Sequence, residues 1–538
     1  MNLFELLVGE DNHPALITPE GRSLTYQQLR DNVVGLVSQL NSFGLKRGER
    51  IAIAMTNGSP MAITFLAAAL CGTAAPLNPK YKQEEFAFYY QDTQAKALIT
   101  LSEGPEAAIA AVTPNMILIN AKVNTDGTLS FELGTGDWGL GAGDWGLGAG
   151  DWGLGARDWG LGAGDWGLGN SGSPLGIRGN GDWENLVGDD DIAMILHTSG
   201  TTSRPKRVPI RHRNLIASAN NFIGAYSLTA ADTTLCLMPL FHIHGLVGCL
   251  LATLASGGTL VCPNGFNALE FWKLVDIYKP TWYSAAPTMH QTILARASRN
   301  TEIVKANRFR FIRSSSASLP PIIIEQLEAT LNAPVVEAYS MTEASHLMTT
   351  NPLPPKVRKP GTVGYGFGVE VGIMDSEGNL LSQGSLGEVV VKAPNVIDGY
   401  ENNPEANATA FVNGWFRTGD QGTVDEDGYL RLTGRIKELI NRGGEKISPL
   451  EVDDVLLRHP AVAEALAFAV PHKSLGEDIH AAVVLKAEAS EKELLAHCST
   501  MLADFKVPKQ VHILEQLPRG ATGKLQRLAM AKLLNIGD

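Results

Sequence analysis

Four stretches combine residue types that can handle a nucleotide and a carboxylic acid. Leu196–Ile210 reads LHTSGTTSRPKRVPI. There a strand pattern runs into a loop of small hydroxylic residues around Gly200. Thr198, Ser199, Thr201 and Thr202 offer hydroxyl groups, the loop offers backbone N–H groups, and Lys206 offers a point charge. Such a loop suits a triphosphate. It is not a Walker loop, which needs two glycines ahead of Lys-Ser/Thr. The second stretch is EAYSMTEASH, Glu337–His346. Tyr339 can stack on a base, Thr342 can touch phosphate, and Glu343 can hold magnesium through oxygen. By local rules alone it reads as a helix N-terminus, capped by Ser340 or Thr342 with Glu343 completing a box. The third is WFRTGD (Trp415–Asp420), followed by GRIKELINRGGEKISPLEVDDVL (Gly434–Leu456). Asp420 and Arg435 can bind ribose hydroxyls, Gly443 and Gly444 make a flexible turn, and the bland reading is a hairpin with charged turns. The fourth, PRGATGKLQR (Pro518–Arg527), sets Lys524 on a glycine-bearing loop.

The elements that must position these residues alternate in type. Thr25–Leu45 reads as an amphipathic helix, Arg50–Met55 as a buried strand and Pro60–Cys71 as another helix. Lys96–Leu101, Met116–Asn120 and Ile192–His197 read as further strands. This alternation predicts an α/β architecture with a largely parallel core. Near Arg435 the pattern becomes α+β, with a helix at Glu451–Arg458 and strands at Ala463–Val470 and Ala481–Leu485. The expected division is a large N-terminal domain, residues 1–434, and a small mobile C-terminal lid, residues 435–538.

The chain has 538 residues, which suggests three or four units at roughly 150 residues each. Its 44% hydrophobic and 19% charged residues suit a globular protein and argue against wholesale disorder. The net charge of −12 and the lack of a long basic run point away from nucleic acid. Five cysteines, none in a C-x-x-C pair, argue against a disulfide framework or zinc site and for a reducing compartment. No secretory signal, membrane-length apolar run or peroxisomal C-terminal address is legible, so the expected location is cytoplasmic.

Residues 136–170 stand apart. The unit GDWGLGA runs five times with small changes, placing Trp138, Trp145, Trp152, Trp159 and Trp166 seven residues apart. Three glycines in each seven would cost a helical repeat about 3 kcal/mol relative to alanine, so a coiled coil is excluded. A mobile surface loop is expected, and its tryptophans offer a sticky surface for an unknown partner.

In order and spacing, the four motifs resemble the adenylate-forming superfamily of acyl-CoA synthetases, non-ribosomal adenylation domains and luciferases. HTSGTTSRPK, PLFHIHGL, RSSSASL, EAYSMTEASHLMTTNPLP and GRIKELINRGGEKISPLEVD look closer still to oxalate–CoA ligases of the plant and fungal type. The resemblance implies that a carboxylic acid reacts with Mg-ATP to give an acyl-adenylate and pyrophosphate. The thiol of coenzyme A then displaces AMP. It also implies roles. Thr198, Ser199, Gly200, Thr201, Thr202 and Lys206 match the phosphate loop. Tyr339 matches the adenine-stacking aromatic, Thr342 a phosphate contact and Glu343 the magnesium ligand, with Glu337 beside them in the nucleotide site. Ser316 and Ala317 lie where the adenine and acyl pockets are lined. Asp420 and Arg435 match the ribose contacts and Lys437 the hinge. Gly443, Gly444 and Lys446 match the segment that meets coenzyme A. Lys524 matches the lysine that steadies adenylation.

A candidate acyl pocket gathers His242, His244, Ser314, Ser315, Ser316 and His346. A long fatty chain would leave those groups unpaired, at roughly 1–3 kcal/mol each. A short dicarboxylate such as oxalate would satisfy them, although one or two of the histidines can equally be packing or capping residues. Alternatives are a ligase for an aryl or medium-chain acid, and a nucleotide-binding module that has lost turnover. Arg207 motivates the latter: the pattern usually carries glycine there, and arginine resists a positive φ.

Overall fold

The computed structural model describes residues 1–18, 20–134, 187–198, 205–519 and 525–536. The tryptophan repeats, Ser199, Gly200, Thr201, Thr202 and Lys524 therefore lie outside the described residues.

Two large sheets carry most of the chain. The first has seven strands, in the order Leu129–Leu133, Ile117–Val123, Ala97–Leu101, Arg50–Ile53, Thr73–Pro76, Ile192–Thr198 and Lys206–Arg211. Its inner pairings are parallel and its outer ones antiparallel. The second has nine strands, from Tyr365–Gly366 at one edge to Ser23–Thr25 at the other. Its parallel centre includes Thr233–Cys236, Trp282–Ala285, Phe311–Ser314 and Val335–Met341. The parallel core expected from the alternation is present, with antiparallel strands closing each edge.

Local sequence explains the two helices read from periodicity. Tyr26–Ser42 starts at a capping box, in which Thr25 and Gln28 satisfy each other's backbone N–H. Its apolar stripe buries Leu29, Val33, Leu36 and Leu40. Ser59–Cys71 has no polar face, and all but one of its residues are buried. It lies in the core that joins both sheets, where an all-apolar helix belongs. Among the described residues no helix is long and apolar enough to cross a membrane.

A third, antiparallel sheet contains Glu370–Met374, Gly387–Lys392, Phe411–Val412, Trp415–Val424 and Leu430–Arg435. Its Val389, Val391, Phe416 and Leu430 share the apolar core of the first two sheets. From Ile440 onward the strands form a fourth sheet, built on the long pair Val462–His472 and Gly476–Leu485. That sheet has its own core with the helices Pro449–Leu457 and Glu491–Met501. The molecule is thus a mixed α/β protein with a large N-terminal unit and a smaller C-terminal one.

One expectation is corrected. Glu337–His346 does not open a helix. Val335–Met341 is a strand, residues 342–345 turn, and His346–Thr350 returns antiparallel. Ser340 bonds the Ser315 hydroxyl at 3.0 Å, so it is unavailable as a cap. Sheet pairing on both sides outweighs a local capping pattern.

Candidate active site

The turn at residues 342–345 is held from outside. Asn395 donates to the carbonyls of Ala344 and Leu347 at 2.6 and 2.9 Å, and Ile397 N–H bonds the Glu343 carbonyl at 2.9 Å. This fixes the buried Glu343 side chain, whose Oε1 accepts from the Tyr400 hydroxyl at 2.9 Å. The ammonium of Lys206 sits 4.3 Å from the centre of the Tyr400 ring. Burial lowers the pKa of Lys206, the charge of Glu343 raises it, and that of Lys437 lowers it. Lys206, Glu343 and Lys437 therefore share one electrostatic neighbourhood. Thr342 lies half-buried beside Glu343.

Asp420 and Arg435 are direct partners across the hairpin, with Arg435 Nε 3.1 Å from Asp420 Oδ1. Asp420 raises the pKa of Arg435. The other oxygen, Oδ2, accepts from the buried hydroxyl of Tyr339, whose pKa burial and then Asp420 push well upward. The hairpin thus brings Tyr339, Asp420 and Arg435 together. Glu337 is buried on the same strand as Tyr339, and burial pushes its carboxyl up to about 7. Lys437 follows in the short turn Ile436–Glu438, which leads into the fourth sheet.

The polar nest sits at the C-terminal end of the Phe311–Ser314 strand. His244 Nδ1 lies 2.9 Å from Ser316 Oγ, and its ring stacks on His346 at 5.0 Å. Neither nitrogen of the fully buried His346 has a partner among the described residues, nor has Ser314 Oγ. A Cβ on Gly248 would meet His346 Nε2 at 2.4 Å, so only glycine leaves room for that ring. Other members of the candidate pocket have partners of their own. His242 caps the short helix that carries His244, accepting from its N–H at 3.3 Å. The Ser315 hydroxyl is taken up by Ala338 O and Ser340 Oγ, both at 3.0 Å. Ala317 is exposed.

Arg207 lies in an extended strand opposite His197, not at a positive φ. Its Nε is 3.1 Å from Glu401 and 3.7 Å from Asp92, and Asp92 is 3.0 Å from His197. Arg207 therefore carries none of the backbone strain that a positive φ would impose.

Two candidate segments are known only by their surroundings. Thr198 and Lys206, which flank the hydroxylic stretch in sequence, pair antiparallel. Arg519 and Leu525, on either side of the Lys524 stretch in sequence, bridge antiparallel. Gly443 and Gly444, with φ of 63° and 95°, form the two-residue turn between Ile440–Arg442 and Glu445–Ile447, with Lys446 exposed beyond it.

Sequence reasoning missed Tyr400, and it missed Arg313, whose Nη1 lies 3.1 Å from Ser284 Oγ and 3.2 Å from His244 Nε2. Tyr400 stands in GYENNPE, where nothing local marks it. Arg313 had one available signal, a charged residue inside the short strand-like run FIRS.

Comparison with known proteins agrees with this layout. Residues 7–401 match the AMP-binding enzyme family, and residues 451–524 match the AMP-binding enzyme C-terminal domain. An oxalate–CoA ligase of Arabidopsis thaliana is 43% identical over 517 residues, covering 95% of this chain and 93% of that one. An oxalate–CoA ligase of Saccharomyces cerevisiae is 39% identical over 537 residues, covering 97% and 94%. Among solved structures, ATP-bound MatB from Rhodopseudomonas palustris superposes with a TM-score of 0.81 at 27% identity, over 99% of each chain. MenE from Bacillus subtilis with ATP and magnesium ion gives 0.77 at 28% identity, over 98% of each. On the extent of these matches, the chain belongs to the AMP-binding enzyme family.

Proposed function

We propose that the protein is an ATP-dependent acid–CoA ligase, AMP-forming, acting on oxalate or a similar short dicarboxylate. The observation that carries this reading is the adjacency of two clusters. Lys206, Glu343, Tyr339, Asp420 and Arg435 gather beside the Val335–Met341 strand. The His244–Ser316–His346 nest borders the same strand and turn. The kinship to oxalate–CoA ligases supports the choice of acid.

In the first step a carboxylate oxygen attacks the α-phosphorus of ATP, and pyrophosphate leaves. In the second, the coenzyme A sulfur attacks the acyl carbon, AMP leaves and the thiol proton is released. Catalysis is mainly positioning and charge stabilisation. Tyr339 stacks on adenine while Asp420 and Arg435 hold the ribose. Lys206, Thr198 to Thr202 and Thr342 bind phosphate, and Lys524 meets the charge that develops on adenylation. The residues at Glu343 fit Mg²⁺, which takes one or two carboxylates plus substrate phosphates. When bound, Mg²⁺ neutralises phosphate charge. Gly443, Gly444 and Lys446 serve the thioester step. The boundary expected at residues 434/435 moves to the turn Ile436–Glu438, because Arg435 belongs to the strand that pairs with Asp420, and Lys437 in that turn serves as the hinge of a mobile lid. Five free, buried cysteines accord with a reducing, cytoplasmic setting.

Pyrophosphate release from ATP, measured across a panel of acids with and without coenzyme A, tests the proposal. Release with oxalate that is lost in Lys524→Ala supports it. Release only with aryl or medium-chain acids overturns the substrate, and release with no acid overturns the activity.

A further inference from the structure

Arg313 stands on the strand Phe311–Ser314, inside the nine-stranded sheet, with its side chain 0% exposed. A buried guanidinium usually has a carboxylate beside it. Here the partners are neutral. Nε donates to the Tyr226 hydroxyl at 2.9 Å. Nη1 donates to Ser284 Oγ at 3.1 Å and contacts His244 Nε2 at 3.2 Å. Nη2 has no partner among the described residues. The group also lies 4.9 Å from the centre of the Phe222 ring.

The chemistry of guanidinium decides the state of His244. Arginine has five N–H donors and no acceptor. His244 Nε2 must therefore accept, and a nitrogen that accepts carries no proton. The Ser284 hydroxyl, 2.6 Å from the same Nε2, can also donate to it. The imidazolium form is disfavoured as well: burial first, then the charges of His346 and Arg313, hold the ring well below its ordinary pKa. His244 is thus neutral, with its proton on Nδ1. That N–H points at Ser316 Oγ, 2.9 Å away. Ser316 Oγ accepts this bond, so its own hydrogen is left to donate elsewhere. The serine is held in a conformation that side chains rarely adopt, φ +77°, at the end of the strand, and it is only partly buried.

We infer that Arg313 is a positioning residue for acid binding: through His244 it sets Ser316 as a hydrogen-bond donor to the substrate carboxylate. Arg313 itself lies behind His244 and acts through it. The unpartnered nitrogens of His346 and hydroxyl of Ser314 stand in the same nest, which is built for a polar anion rather than a hydrocarbon. The inference rests on the acid-ligase reading for its substrate and on the Arg313–His244–Ser316 contacts for the position of its proton.

Two measurements separate these. In the wild-type protein labelled with ¹⁵N-histidine, two-bond ¹H–¹⁵N correlation reads the tautomer of His244, whose signals are identified by their loss in His244→Gln. The expected pattern is protonated Nδ1 and bare Nε2. A protonated Nε2, or an imidazolium, overturns the inference without any assay of activity. The second measurement is steady-state kinetics of Arg313→Met and Arg313→Lys with oxalate. For Arg313→Met the KM for oxalate should rise about tenfold or more, with the KM for ATP within about threefold of wild type. Arg313→Lys, which keeps a donor, should recover part of that loss. An unchanged KM for oxalate in folded Arg313→Met, or equal losses toward ATP and oxalate, overturns it. If Arg313→Met does not fold, the wild-type tautomer still decides. If no acid is turned over by the wild type, the ligase reading fails while the tautomer remains measurable.

Discussion

The phenol of Tyr400 joins two charges that lie far apart in the chain. Its hydroxyl holds Glu343 and its ring cradles Lys206. Burial, and then the Glu343 charge, keep it protonated and so a donor. A hydrogen bond to a charged group contributes roughly 1.5–3 kcal/mol. Tyr400→Phe should therefore lower kcat/KM for Mg-ATP by about tenfold or more, with the deficit largest at limiting Mg²⁺ in a titration of initial rates. Glu337 makes a different prediction. Its carboxyl titrates at about 7 in the fold and near 4.5 when exposed, because burial disfavours the charged form. Between those values the folded state holds a proton that the unfolded state has lost. Its contribution to stability is therefore full below 4.5 and fades as pH rises through 7. Moving from pH 7.5 to 5.5 should stabilise the wild type by about 2 kcal/mol more than Glu337→Gln, as read by denaturant unfolding.

Arg207 shows how an element changes what a residue means. In the pattern its place belongs to glycine, yet here it is an ordinary strand residue. Arg207, Arg50 and His197 share the carboxylates of Asp92 and Glu401. Arg207→Ala should destabilise the protein by about 2 kcal/mol in thermal unfolding, because Arg50 and His197 still cover part of the exposed charge. The KM for ATP should stay within about threefold of wild type. The stretch Glu337–His346 carries the opposite lesson. Its residues match a helix cap, but Ser340 is committed to Ser315 on the neighbouring strand. Capping rules see four residues, whereas strand pairing joins residues more than twenty apart. The periodic elements were legible for the converse reason: Tyr26–Ser42 and Arg50–Ile53 carry their burial pattern within their own length.

Two of the four sheets are woven from distant parts of the chain, and the repeat segment interrupts one of them. Leu129–Leu133 and Ile192–Thr198 belong to the same seven-stranded sheet, five strand positions apart, a span of about 24 Å. Of the 58 residues between them, deleting 136–170 leaves 23, which can reach about 70 Å. The shortened chain should fold with unchanged secondary structure by circular dichroism. Its pyrophosphate-release rate should stay within about twofold of the full chain. A loss of activity would make the repeats part of the catalytic unit.

From the sequence alone came the α/β class, the lesser C-terminal unit, the four motifs and a candidate acyl pocket of His242, His244, Ser314, Ser315, Ser316 and His346. Those readings rest on periodicity and on short runs of chemistry-bearing residues, which are local properties. Tertiary structure alone decided which members of each run face one another. It turned His242 into a cap and Ser315 into a strand tie, and paired Asp420 with both Tyr339 and Arg435. It also brought Tyr400 to Glu343, and Arg313 to His244. The physical reason is burial: inside the sheets a polar group must find a partner, and only the folded chain supplies one from a remote strand.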